Sequence, residues 1–296
     1  MPALLRADAT IRYQIEFNKA PWLAAATNRP LKTATLGPEK VLHLKGHKSV
    51  SDDGERTFIA DFDERAYTII DPAHKAAATV SFADLAKLAD ALATETMPLL
   101  SAPGQPKIES RLTGRTAAIQ GVEAEEREVT VSWGAVRGAA PRGGDQSFKF
   151  RARLWSATQA GAARVPAIRE LTTLKAGERD FSLMLSNAIG ESPWVTPILE
   201  AFRLSTVALR LQIEIYIPFL TEMTIQELER EGKLAKPVDH GSPFMQIDQI
   251  ATEISGAPVD PAVFEIPKDY SVLPLEKFRE VLKSAPATSA TGSAIR

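Results

Sequence analysis

Four glutamates, Glu123, Glu125, Glu126 and Glu128, crowd into one short segment, and paired carboxylates so close together could divide acid and base work between them. The segment reads as a strand, whose side chains alternate between two faces. Glu126 and Glu128 then share a face with Val122 and Ala124, while Val129, Val131 and Trp133 define the other. On that reading the carboxylates form a solvated, structural face. A hydrolase would need them to converge in a cleft and perturb one another's pKa. His43 and His47 stand four apart, a spacing that would serve one metal ion on a helix. Their segment contains Gly46 and reads as a strand, which sets them roughly 13 Å apart at ~3.3 Å per residue, too far to share an ion. His74 falls in the turn after Asp71-Pro72, and His240 precedes Gly241 in a loop, so both read as solvated.

Nucleophile-elbow, phosphate-loop, dinucleotide and zinc-binding motifs are all absent from the sequence. The glycines at Gly134, Gly138, Gly143 and Gly144 lack the Lys-Ser/Thr or helix start that a phosphate site requires, and read as a hairpin connection. The expectation is a protein that is not an enzyme, with no catalytic residue, no metal and no cofactor. Composition narrows the partners. Among 296 residues, 35 Lys+Arg against 37 Asp+Glu give a net charge of -2, without the basic excess that nucleic-acid binding draws on. The absence of cysteine excludes disulfides, thiolate metal sites and a lipid-modified N-terminal Cys, so an exported form should be soluble in its compartment. An apolar fraction of 44% is that of a folded chain. The apolar stretch at 207–220 carries Arg210, Gln212, Glu214 and Pro218 and falls short of the ~20 residues of a spanning helix. Residues 1–7 read equally as the remnant of a trimmed signal peptide and as a ragged start.

The elements that must position these residues are mostly strands. Ile11, Tyr13, Ile15 and Phe17 alternate with Arg12, Gln14 and Glu16, as in a half-buried antiparallel strand. Runs at 41–50, 57–62 and 66–70, separated by Asp53-Gly54 and Asp63-Glu64-Arg65, predict a three-stranded meander that Asp71-Pro72 ends. Ser81 predicts a helix cap, with Asp84 at the third position and Phe82, Leu85, Leu88 and Leu92 at helical spacing. A proline-rich linker at 97–106 could subdivide an otherwise single domain spanning 1–275. Strands at 108–119 and 122–133 flank a Gln120-Gly121 hairpin turn, and Phe148, Phe150, Ala152 and Leu154 mark another. Helices are predicted from Pro166, over 181–189, over 193–202 and over 221–231, the last stopping at Gly232. The segment 207–217 conflicts with itself: its odd positions are apolar as in a strand, its flanks are helical, and context leans to a helix that Pro218 must end or kink. A strand at 244–254 carries a bulge between Ile247 and Ile250. The low-complexity tail at 284–296 reads as disordered.

What remains is an apolar, aromatic inner face. Its candidate ligand-binding residues are Phe17, Trp133, Phe150 and Trp155 from strands, and Trp194 and Phe202 from helices. An ordinary sheet-helix core uses the same residues as a curved sheet with a greasy cavity for a lipid, an acyl chain or an apolar protein segment. The rival role is a structural or interaction module of the cell envelope that docks on a protein partner.

Three short motifs add a family likeness. Phe58-Ile59-Ala60-Asp61-Phe62 followed by Tyr67-Thr68-Ile69-Ile70-Asp71 and Lys75 resembles the paired strands of exported bacterial proteins related to the lipoprotein-carrier (LolA-like) superfamily. Thr113-Gly114-Arg115-Thr116, with Ile119, Gly121 and Glu125, resembles the start of that group's second half. Ala257-Pro258-Val259-Asp260-Pro261, continuing through Phe264 to Tyr270, resembles its ending. The resemblance implies an α+β fold, a curved, unclosed antiparallel β-sheet or half-barrel wrapped around helices. It also implies a periplasmic or secreted location and no catalytic residues. The chain departs from the pattern at Ala76 and Ala77, where an aromatic commonly follows the Lys, and at a longer insertion read as helical around 207–220.

Overall fold

The structure, a computed structural model, describes residues 8–19, 21–27, 34–35, 40–52, 56–81, 84, 107–135, 147–173, 207–239 and 241–284. The helix expected after Ser81 (Asp84 excepted), the linker at 97–106, the loop at 138–144, the helices at 181–189 and 193–202, His240 and the tail beyond Ser284 lie outside these residues. In chain order the described elements are β1 (Asp8–Lys19), α1 (Leu23–Thr27), β2 (Ala34–Thr35), β3 (Lys40–Lys45), β4 (Lys48–Asp52), β5 (Thr57–Asp61), β6 (Ala66–Asp71) and β7 (Ala76–Ser81). Then come β8 (Lys107–Ile119), β9 (Val122–Ala135), β10 (Ser147–Ala157), α2 (Gln159–Ala163), α3 (Pro166–Thr173), β11 (Ala208–Tyr216), α4 (Pro218–Arg230), β12 (Met245–Ser255), β13 (Ser271–Val272) and α5 (Leu275–Ser284).

All the strands join one open sheet in the order β13-β7-β6-β5-β4-β3-β1-β12-β11-β10-β9-β8, with β2 beside β1. This is the expected α+β architecture of a curved, unclosed sheet with helices. One pairing departs from the antiparallel rule, since β13 runs parallel to β7. The expected three-stranded meander is five strands, β3 to β7. Gly46, at φ 55, folds the run at 41–50 into a hairpin, and Lys75, at φ 48, turns the chain after Asp71-Pro72 into β7. At the end of β7 the Ser81 hydroxyl accepts the Asp84 N–H at 3.1 Å, as a helix cap would.

The segment left between helix and strand is β11, so the lean to helix was the wrong way: its apolar odd positions obey the strand period. Pro218 is instead the first residue of α4, where its missing N–H costs nothing. The bulge expected between Ile247 and Ile250 falls at Thr252, because Tyr13 pairs with Ala251 while Arg12 pairs with Glu253. The Thr252 hydroxyl donates to the Arg12 carbonyl there at 3.2 Å. Gln120 and Gly121, both at positive φ (49 and 76), make the tight turn of the β8–β9 hairpin.

Packing shows the curl. Ile119 and Val122 at that hairpin tip share one buried cluster with Ile11 of β1 and Leu44 of β3. In a flat sheet β9 and β1 would lie about 19 Å apart, four strand spacings. The sheet bends to bring them together around α2 and α3, where Ala162, Ala167 and Ile168 of the helices and Val165 of their connection fill the space between. The Gln120 side chain accordingly reaches the Ala251 carbonyl on β12, donating at 3.4 Å.

Helix α2 approaches β9 so closely that Thr158 donates its N–H to the Glu123 carbonyl at 2.9 Å. A Cβ at Gly161 would sit 2.1 Å from that same oxygen. Helix propensity alone favours alanine over glycine by about 1 kcal/mol, but the backbone oxygen has nowhere to go. Gly161→Ala should therefore destabilise the chain by about 2 kcal/mol; equal or greater stability in urea unfolding would contradict the close approach.

Candidate functional site

Register decides what each face of β9–β12 and the adjoining β1 offers. One row across five strands reads Val129, Ala152, Ile213, Ile247 and Phe17, all directly paired neighbours. Around it Val131, Phe150, Leu154 and Leu211 are buried, with Phe148 and Ile215 half-buried against them. Every residue of this cluster comes from a strand.

The opposite face of the same strands is charged. Its rows read Glu128, Arg153, Gln212, Asp248 and Glu16, then Thr130, Arg151, Glu214, Gln246 and Asn18. Glu128 accepts from Arg111 at 2.8 Å and from Arg153 at 3.2 Å. The Arg111 hydrogen bond, ahead of the opposing effect of burial, holds the Glu128 carboxyl below the usual carboxylate range. Arg210 grips Asp248 at 2.9 Å, Gln212 donates to the same carboxylate at 2.9 Å, and the Arg210 guanidinium lies 5.2 Å from the centre of the Trp155 ring. Arg151 pairs with Glu214 and donates to the Tyr216 hydroxyl at 2.6 Å, which in turn donates to Glu214 at 2.9 Å. Burial first, then Glu214, pushes the Tyr216 phenol up to about 12.

The expected solvated face of glutamates is thus corrected in half. Glu123 and Glu125 are exposed, but Glu126 is wholly buried and paired with Arg115, and Glu128 is half-buried between two arginines. Counting outwards from the Gln120-Gly121 turn puts Arg115 opposite Glu126, so the sequence held that pair. A bulge over Thr113, Gly114 and Arg115 then shifts the register by two, and it is this shift that brings Arg111 opposite Glu128.

The six candidate ligand residues do not line one surface. Phe17, half-buried, and Phe150, 7% exposed, lie on the apolar face. Trp133 stands opposite Phe148 in the β9–β10 register. Trp155, five positions along β10 from Phe150, falls on the charged face. Trp194 and Phe202 lie outside the described residues. The histidines also separate: His43 Nδ1 meets the Thr10 hydroxyl at 2.9 Å, His47 Nδ1 meets Asp63 at 2.7 Å, and His74 Nδ1 meets Asp71 at 3.1 Å. Asp71 also accepts the Ala73 N–H at 2.9 Å, and Lys75 ties down Asp269 at 2.7 Å. Asp71 and Lys75 of the first motif therefore shape a turn and fasten the C-terminal segment to it.

No family model matches the chain, and no curated protein matches it. Among solved structures, one similar chain is described as the structure of PNGF-II in a C2 space group, at 7% identity and a TM-score of 0.38. The match covers 94% of this chain but 33% of that one, so the chain spans about a third of that protein's length. A likeness so distant carries no weight for function.

The half-buried ladder makes a pH-dependent contribution to stability. A carboxyl held below its ordinary pKa in the fold stabilises fully above the unfolded value, and that contribution is lost as pH falls through the folded one. Glu128→Gln should cost about 1 kcal/mol at neutral pH, and the gap from the parent should close in acid; a gap that persists there would contradict the ion pairing.

Proposed function

We propose that the chain is a non-enzymatic, exported protein that holds a lipid, an acyl chain or another apolar ligand against the β9–β12 face of its curled sheet. The observation that carries this reading is the row Val129, Ala152, Ile213, Ile247 and Phe17, an apolar band crossing five adjacent strands. Such a band is about 19 Å wide, a span suited to an extended hydrocarbon chain. The charged ladder on the other side supports the same reading, since it keeps one face polar and leaves the other for apolar contact. Membership of the LolA-like superfamily and a periplasmic or secreted location belong to this proposal; the open, largely antiparallel sheet is compatible with them.

One observation favours the rival, an envelope interaction module with a filled core. Val129, Val131, Ala152 and Leu154 are all 0% exposed. Ligand binding would have to displace whatever covers them. The two readings part in native mass spectrometry of the purified full chain and in titration with a fluorescent long-chain fatty acid. The proposal expects a co-purifying lipid or saturable binding, weakened at least tenfold by Phe148→Asp and untouched by Val272→Asp. No ligand and no saturable binding would leave the filled-core module.

A further inference from the structure

The open end of the sheet carries an inference independent of any ligand. Strand β8 ends the strand order, pairs with β9 alone among the described residues, and is exposed at every position from 107 to 112. An edge strand of this kind presents a row of unpaired backbone N–H and C=O groups, a template for another strand. Two large apolar side chains project into solvent on this stretch, Ile108 at 42% and Leu112 at 51% exposure. Opposite charges, Glu109 and Arg111, sit just inside them, and Ser110 is the midpoint. Read outwards from Ser110, the edge is therefore complementary to its own reverse.

We propose that β8 pairs antiparallel with β8 of a second copy of the chain, about a two-fold axis through Ser110. In that register Ile108 meets Leu112 of the second copy and Glu109 meets its Arg111, and symmetry makes each contact twice. Opposite charges and apolar pairs directly across a ladder both stabilise it. The neighbouring registers fail on charge: an axis at Glu109 opposes two carboxylates, and one at Arg111 opposes two guanidiniums. An axis at Ser110 also uses the whole regular edge, from the start of β8 at Lys107 to the bulge at Thr113, where Gly114 turns away at φ 76. The register continues the sheet's own faces. Ile108 is paired with Val131 and Ser110 with Val129, so the face that carries the apolar band in one copy is continuous with the same face of the next. Arg111 is already oriented by Glu128 and is 74% exposed, leaving donors for the second copy. The regular edge is short, and the dimer it supports is correspondingly weak and concentration-dependent.

The full-length chain, followed by sedimentation velocity from micromolar to near-millimolar concentration, should pass from monomer to dimer. Glu109→Arg or Arg111→Glu sets like charges in both reciprocal pairs and should weaken association at least tenfold. The double exchange restores the pairs and should restore the dimer. Because the sequence has no cysteine, Ser110→Cys supplies a single thiol on the axis, and mild oxidation should give a disulfide-linked dimer that Thr79→Cys, a control on β7, does not. A chain that stays monomeric and does not cross-link, or a dimer indifferent to both charge changes, would overturn the proposal.

Discussion

Pairing of β1 with β12 joins residues from opposite ends of the chain, Thr10 with Ser255 at one end of the ladder and Lys19 with Met245 at the other. Everything else hangs on that seam. On one side β1 carries the β3–β7 meander, and on the other β12 carries β11, β10, β9 and β8. Remove it and the sheet falls into two halves, neither of which could bury the cluster around α2 and α3. The seam also sets phase: because strands alternate, a slip of one residue would turn Phe17 away from Ile247 and send apolar residues to the charged face. The bulge at Thr252 lets Tyr13 meet Ala251 and Ile11 meet Ile254 in a single ladder.

From that phase come two unlike faces on the same strands. Arginines at positions 111, 153, 151 and 210 find carboxylates directly or diagonally across, so the polar face is largely self-neutralising. On this face, charge is organised strand by strand into compensated pairs. Among the described residues the apolar face has no such ion pairs, and its central residues Val129, Val131, Ala152 and Leu154 are fully buried. It is to this face that the proposed reading assigns an apolar ligand.

Much of this was legible in the sequence, because strand alternation and turn chemistry are local. Ile11, Tyr13, Ile15 and Phe17 mark β1, Gln120-Gly121 marks the hairpin, and Pro166 marks the start of α3. Context misled at β11, where apolar odd positions from Leu209 to Ile215 were weighed against helical flanks and the period should have prevailed. The meander was undercounted because Gly46 was read as part of a strand when it is a turn. The Arg111–Glu128 pair was hidden by the bulge at Thr113–Arg115, a register change that no local pattern announces. The separation of Trp155 from Phe150 needed only parity along β10, whereas the meeting of the β8–β9 tip with β1 depends on long-range curl and could not be read from any one segment.

The most direct test of the central claim is methyl nuclear magnetic resonance of the full chain with a spin-labelled fatty acid. Binding on the apolar face predicts paramagnetic broadening of Val131, Leu154, Leu211 and Ile213, with Ile59 and Ile70 of the meander unaffected. Broadening of none of these methyls, or broadening of the meander methyls alone, would contradict it.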